Sequence, residues 1–124
     1  MTQPKRKVLL VEDDALVRMF VMDLLEDHRC EVIERWDAAG ALAVLARNED
    51  IDLLVTDVTL PGGRDGGEIA REARARNPAL PVLFTTGHSD FDWSGRQGHG
   101  EVSVLAKPFD VAAFAQALTR LLPR

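Results

Sequence analysis

Four short apolar runs, Val8 to Val11, Ile51 to Val55, Val82 to Phe84 and Val102 to Ala106, are too brief for helices and too continuous for strands with one wet face. Such runs predict strands buried on both faces, the habit of parallel sheets covered by helices. A fifth stretch, Cys30 to Ile33, alternates apolar and charged positions and suits a sheet edge. Between these runs the apolar spacing becomes helical. Val17, Phe20, Val21 and Leu24 follow Asp14; Ala38, Ala41, Leu42 and Leu45 follow Asp37; Val111, Phe114, Ala115, Leu118, Leu121 and Leu122 follow Asp110. Each pattern predicts a helix capped by its aspartate. A further helix is predicted over Gly67 to Arg76, ended by Asn77-Pro78 because proline disfavours helical geometry in the residue before it.

Strands alternating with helices predict one α/β domain, 1–124, with a parallel sheet and right-handed crossovers. The segment Gly87 to Gly100 breaks the alternation, since four glycines and no helical period predict a loop. The helix before the last strand is therefore expected to be short or absent.

Composition narrows the function classes. A chain that is 46% hydrophobic and 28% charged is an ordinary globular one, and a net charge of -5 without a sustained Lys/Arg run argues against nucleic acid as a partner. The single cysteine, Cys30, excludes an internal disulfide and a cysteine-cluster metal site, and is expected in the core. Met1 to Lys7 has the charge of an export signal, but the apolar run behind it lasts four residues before Glu12, and nothing approaches the roughly 20 apolar residues of a membrane span. A soluble, cytoplasmic protein with no membrane partner is expected.

In open α/β sheets, ligands bind beyond the carboxyl ends of the strands. Those ends here carry Glu12 and Asp13, Asp57, Thr86, and Lys107. Carboxylates a few ångströms apart repel by about 4 kcal/mol per pair at an effective dielectric of 20. A divalent cation would offset this, and oxygen donors without Cys or His select a hard ion such as Mg2+. A lysine and a threonine beside an aspartate and a metal are also what a phosphoryl group on that aspartate requires, so Asp57 is the candidate nucleophile.

With these residues in order, the chain resembles a response-regulator receiver domain of the two-component systems over essentially its full length. The matching positions are the acidic pair Glu12 and Asp13, the phosphoryl-accepting Asp57, Thr86, and Lys107-Pro108, with Asp57-x-x-x-Pro61 and then Asp65-Gly66 as the family's continuation. The resemblance implies a flavodoxin-like fold with strand order 2-1-3-4-5, Mg2+ held by Asp13, Asp57 and the Thr59 backbone carbonyl with Glu12 completing the pocket, and a cis Lys107-Pro108 peptide. It also implies a histidine kinase or phosphotransfer protein as phosphodonor, an unknown downstream protein as partner, and no enzymatic activity beyond assistance to the chain's own phosphorylation and dephosphorylation.

Other residues have plainer readings. Asp14 is expected to cap a helix rather than bind metal, and Gly62, Gly63, Gly66 and Gly67, which lack a following Gly-Lys-Ser/Thr, are expected to be turn residues. They hold one residue more than the usual family spacing. His28, His88 and His99 are expected at the surface, with His88 at the mouth of the site. Phe91 and Trp93 are expected to tuck onto the sheet edge, with an apolar partner patch as the alternative, and Trp36 to pack. Val104 stands where many receivers carry an aromatic switch residue, so the usual coupling to Thr86 is not available. These departures, with Phe84-Thr85-Thr86-Gly87, are similar to single-domain receivers with a Phe-Ala-Thr-Gly-like fourth strand. The residues after Lys107 are used up by the last helix, so a stand-alone regulator without an output domain is expected. A Mg2+-dependent aspartyl-phosphate hydrolase is the rival, disfavoured because Asp57 follows the third strand rather than the first; a flavin or nucleotide module lacks a phosphate loop after strand one.

Overall fold

A computed structural model describes residues 5–47, 50–88, 90–93 and 98–123. The elements are β1 (Arg6–Val11), α1 (Ala15–Asp27), β2 (Cys30–Arg35), α2 (Ala38–Ala46), β3 (Leu53–Asp57), a 3-10 turn (Pro61–Gly63), α3 (Gly66–Arg76), β4 (Val82–Thr86), β5 (Val102–Ala106) and α4 (Val111–Leu121). All strand pairs are parallel, in the order β2-β1-β3-β4-β5. This is the flavodoxin-like arrangement. Among the described residues no helix is long and apolar enough to cross a membrane.

Successive strand residues point to opposite faces. Leu9, Val11, Leu54, Val82 and Phe84 pack on the α2/α3 side, while Val8, Leu10, Leu53, Val55 and Leu83 pack on the α1/α4 side with Phe114 and Leu118. Both faces are covered, which is why β1, β3 and β4 read as unbroken apolar runs. β5 departs from that expectation. It is the second edge of the sheet, and its burial alternates, with Ser103 buried and Val104 47% exposed. An edge strand lacks a neighbour on one side, so its apolar run is only half covered.

Among the described residues aspartates cap each α-helix: Asp14 accepts from the amides of Leu16 and Val17, Asp37 from Gly40, Asp65 from Glu68 and Asp110 from Ala113. Each such cap contributes about 1 kcal/mol. The Asp65 cap places Gly66 and Gly67 inside α3, not in a turn as expected, whereas Gly62 and Gly63 do turn the chain with positive φ. Gly66 is required by proximity. A Cβ there would overlap the Asp57 carbonyl oxygen and lie 2.9 Å from the Thr56 side chain.

Between β4 and β5 the described residues form no helix. Phe91 and Trp93 instead stack edgewise on Phe84, with ring centroids 5.0 and 5.3 Å apart. The returning chain is held by polar contacts: the amides of His99 and Gly100 donate to the Pro78 carbonyl, and the buried Arg74 of α3 donates to the carbonyls of Leu80, Gly100 and Glu101. Ser89 and residues 94–97 of the expected loop, like Met1 to Pro4, lie outside the described residues. Cys30 is buried and His28, His88 and His99 are exposed, as expected. Trp36 does not pack: it is 59% exposed, because the chain leaves the sheet at Arg35 and Ala38, not Trp36, fills the next core position.

Candidate functional site

The register sets which strand ends meet. Val11 pairs with Thr56, Asp57 with Thr85, and Thr86 with Ala106, so the residues just beyond β1, at the end of β3 and just beyond β5 fall on one rim. The Lys107 amide donates to the Thr86 carbonyl at 2.7 Å, which carries the ladder one residue past β5 and fixes where the lysine side chain starts.

On this rim one carboxylate oxygen from each of Glu12, Asp13 and Asp57 lies within 4.8 Å of the others. Two such charges at that separation repel by roughly 3.5 kcal/mol at an effective dielectric of 20. Lys107 is placed to counter part of this: its Nζ donates to Glu12 Oε1 at 2.8 Å and to Asp57 Oδ2 at 2.9 Å. Glu12 is 2% exposed and Asp57 8% exposed, whereas Asp13 is open to solvent. Burial, the largest influence, raises the Glu12 pKa above its ordinary value despite the opposing hydrogen bonds from Lys107 and the Asp14 amide. Burial also opposes charge on Lys107, but the hydrogen bonds and charges of Glu12 and Asp57 outweigh it and its pKa is raised.

Thr86 is buried at the end of β4, and its hydroxyl oxygen accepts from the His88 amide at 2.9 Å. Its own proton therefore remains available for another acceptor. Thr59, two residues past Asp57, is exposed and bridged to Asp65; that pairing uses the Gly66 amide with the Val58 carbonyl and the Leu60 amide with the Arg64 carbonyl, leaving the Thr59 carbonyl outside it. The Lys107-Pro108 peptide is cis. All the sequence-derived candidates thus lie along one end of the sheet, with Glu12, Asp13, Asp57 and Lys107 in one cluster. Three clustered carboxylates with no soft donor are the set that a hard divalent cation such as Mg2+ takes.

The Glu12–Lys107 bond was not legible, because it joins residues at opposite ends of the chain. Arg18 was also missed: its Nη1 donates to the Glu12 carbonyl and its Nε to Glu34, both at 2.9 Å. A cation in the opening turns of a helix opposes the helix dipole, and that anomaly was the available signal. Beside Lys107, the side chains of Leu16, Val17, Phe20, Pro108 and Phe109 line an open groove of about 410 Å3.

The family described as response regulator receiver domain matches residues 8–119. The response regulator protein FleR of Pseudomonas aeruginosa is 38% identical over 117 residues, which cover 92% of this chain and 24% of FleR. The response regulator receiver protein CpdR of Brucella abortus is 30% identical over 94% of this chain and 97% of its own length. The chain thus spans about a quarter of one relative and nearly all of another. Among solved structures, a response regulator receiver protein from Sinorhizobium medicae superposes with a TM-score of 0.85 at 30% identity, covering 95% of this chain and 94% of that one.

Proposed function

The chain belongs to the response-regulator receiver family, and from that membership we propose that it takes a phosphoryl group onto Asp57 from a histidine kinase or a phosphotransfer protein, with Mg2+ in the acidic pocket. It then signals in the cytoplasm by phosphorylation-dependent binding of a downstream protein, or serves as an intermediate or sink in a phosphorelay. The observation that carries this reading is the Lys107 ammonium set between Asp57 and Glu12 at 2.9 and 2.8 Å, within an oxygen-only cluster.

Transfer breaks the bond between phosphorus and the donor's imidazole nitrogen, which keeps the electron pair, and forms a bond from phosphorus to an Asp57 carboxylate oxygen. Lys107 orients that carboxylate through its Oδ2 contact. Once the carboxylate carries the phosphoryl group as an acyl phosphate, the ammonium exchanges its Asp57 oxygen for a phosphoryl oxygen, and the Thr86 hydroxyl donates its free proton to another. Glu12, Asp13, Asp57 and the Thr59 carbonyl would hold Mg2+, which when bound offsets the negative charge gathered on the carboxylates and the phosphoryl oxygens. The groove that Leu16 and Phe20 line is closed on one side by Lys107, which bonds Asp57, so a donor protein seated in it would lie beside the site.

Intact-mass measurement after incubation with acetyl phosphate and Mg2+ tests this. Wild type is expected to gain one phosphoryl group and Asp57→Asn none. Sustained turnover of phosphomonoesters would favour the aspartyl-phosphate hydrolase instead, and absence of both reactions would overturn the reading.

A further inference from the structure

The turn that presents Glu12 and Asp13 is held from several directions. The Glu12 amide donates to the Arg35 carbonyl at 3.0 Å, and the Glu12 carboxylate accepts from the Asp14 amide at 3.0 Å while binding Lys107. Asp14 is locked in turn as the cap of α1. A further backbone group at this corner, the Glu12 carbonyl, accepts from Arg18 Nη1 at 2.9 Å. The same guanidinium donates through Nε to Glu34 on β2, also at 2.9 Å, and the Arg18 side chain is only 17% exposed.

We propose that Arg18 is a positioning residue: by tying the Glu12 carbonyl to Glu34 it fixes the backbone that aims Asp13, and it thereby sets the metal affinity of a site it does not touch. The inference rests on the reading that Glu12, Asp13 and Asp57 hold Mg2+. Asp13 is exposed and belongs to no element, so its direction is set by the two residues flanking it, and Arg18 holds one of them. A guanidinium suits the task because it holds two nitrogens at a fixed spacing in one plane, Nε for Glu34 and Nη1 for the Glu12 carbonyl, whereas an ammonium offers a single nitrogen on a flexible stem. Helix stability does not explain the residue, since the dipole disfavours a cation this close to the α1 N-terminus. Residues that orient metal ligands from behind typically change affinity by about 10- to 100-fold when removed.

Calorimetric titration with Mg2+ alone, on wild type, Asp13→Asn, Arg18→Ala and Arg18→Lys, separates the possibilities, with thermal unfolding in metal-free buffer run alongside. Wild type is expected to bind, Asp13→Asn to lose binding, and Arg18→Ala to bind about tenfold more weakly or worse. Arg18→Lys, which offers one nitrogen where Nε and Nη1 each reach a separate acceptor, is expected to fall between. Arg18→Ala with a lower metal-free melting temperature and an unchanged Mg2+ dissociation constant would overturn the proposal, leaving Arg18 a purely structural residue. Should Arg18→Ala not fold, Arg18→Lys decides, and wild-type affinity there overturns the proposal equally. A wild type that does not bind Mg2+ at all would instead bring down the metal reading on which the inference stands.

Discussion

The bond between Lys107 and Glu12 acts unequally on its two ends. Glu12 lies at 2% exposure, so burial wins and its pKa rises above 4.5; the Lys107 side chain keeps 23% exposure, so burial loses to its two carboxylate partners and its pKa rises above 10.5. The consequences for stability have different windows. For Lys107, the folded state holds its proton more tightly than the unfolded one, so the contribution is fully present below 10.5 and is lost as pH rises through the folded value. Lys107→Met is therefore expected to be less stable than wild type by a constant amount from neutral pH, where its partner carboxylates are charged, up to 10.5, with the gap closing above it, as urea midpoints across pH will show. For Glu12, the unfolded chain loses its proton from 4.5 upward while the folded chain keeps it. Stability attributable to Glu12 falls as pH rises from 4.5 through the raised folded value, and Glu12→Gln is expected to flatten that slope.

Among the elements, α3 is the one whose start is set by the site itself. Gly66 lies against the Asp57 carbonyl and Thr56, so Gly66→Ala must push β3 and α3 apart and is expected to cost about 2–3 kcal/mol in chemical denaturation, as overpacking does. Gly87, around which a Cβ would meet nothing within 4 Å, is the control; Gly87→Ala should stay within about 0.5 kcal/mol of wild type. The β4–β5 crossover is held by Trp93, 7% exposed, stacked on Phe84, with the Arg74 guanidinium 5.6 Å from its ring centre. Its Nε1 is buried without a hydrogen-bond partner among the described residues. Two effects then separate by substitution. Trp93→Ala loses the packing and is expected to cost about 3–5 kcal/mol, whereas Trp93→Phe keeps a ring on Phe84 and removes a buried unpaired donor worth about 1–3 kcal/mol against folding, so it should cost far less.

For the whole molecule, the absence of a helix among the described residues of the β4–β5 crossover, together with Val104, would change how phosphorylation is transmitted under the proposed reading. Val104 offers no aromatic ring to follow Thr86, while the Thr86 hydroxyl is bonded to the His88 amide at the root of the crossover. Recruitment of that hydroxyl by a phosphoryl group is expected to loosen the bond to His88 and shift the described crossover residues next to it, Phe91 and Trp93 included. Hydrogen exchange with and without beryllofluoride and Mg2+ should then differ in this segment, and identical exchange there would place the response elsewhere. Strand identity, the α/β class, the aspartate caps and the strand-end acids were all written locally, since apolar runs, helical spacing and capping are properties of a few adjacent residues. The exposure of Trp36 and Val104 was not, because it depends on where a strand leaves the sheet and on which strands lie at its edge. The partners of Arg18 and Arg74 and the Glu12–Lys107 bond were also invisible, for each is a contact between residues that only folding brings together. The sequence by itself determined that acids, a threonine and a lysine would stand at the ends of parallel strands. The tertiary structure alone decided their register, burial and hydrogen-bond partners, because those follow from how strands align and helices cover them, not from any single segment.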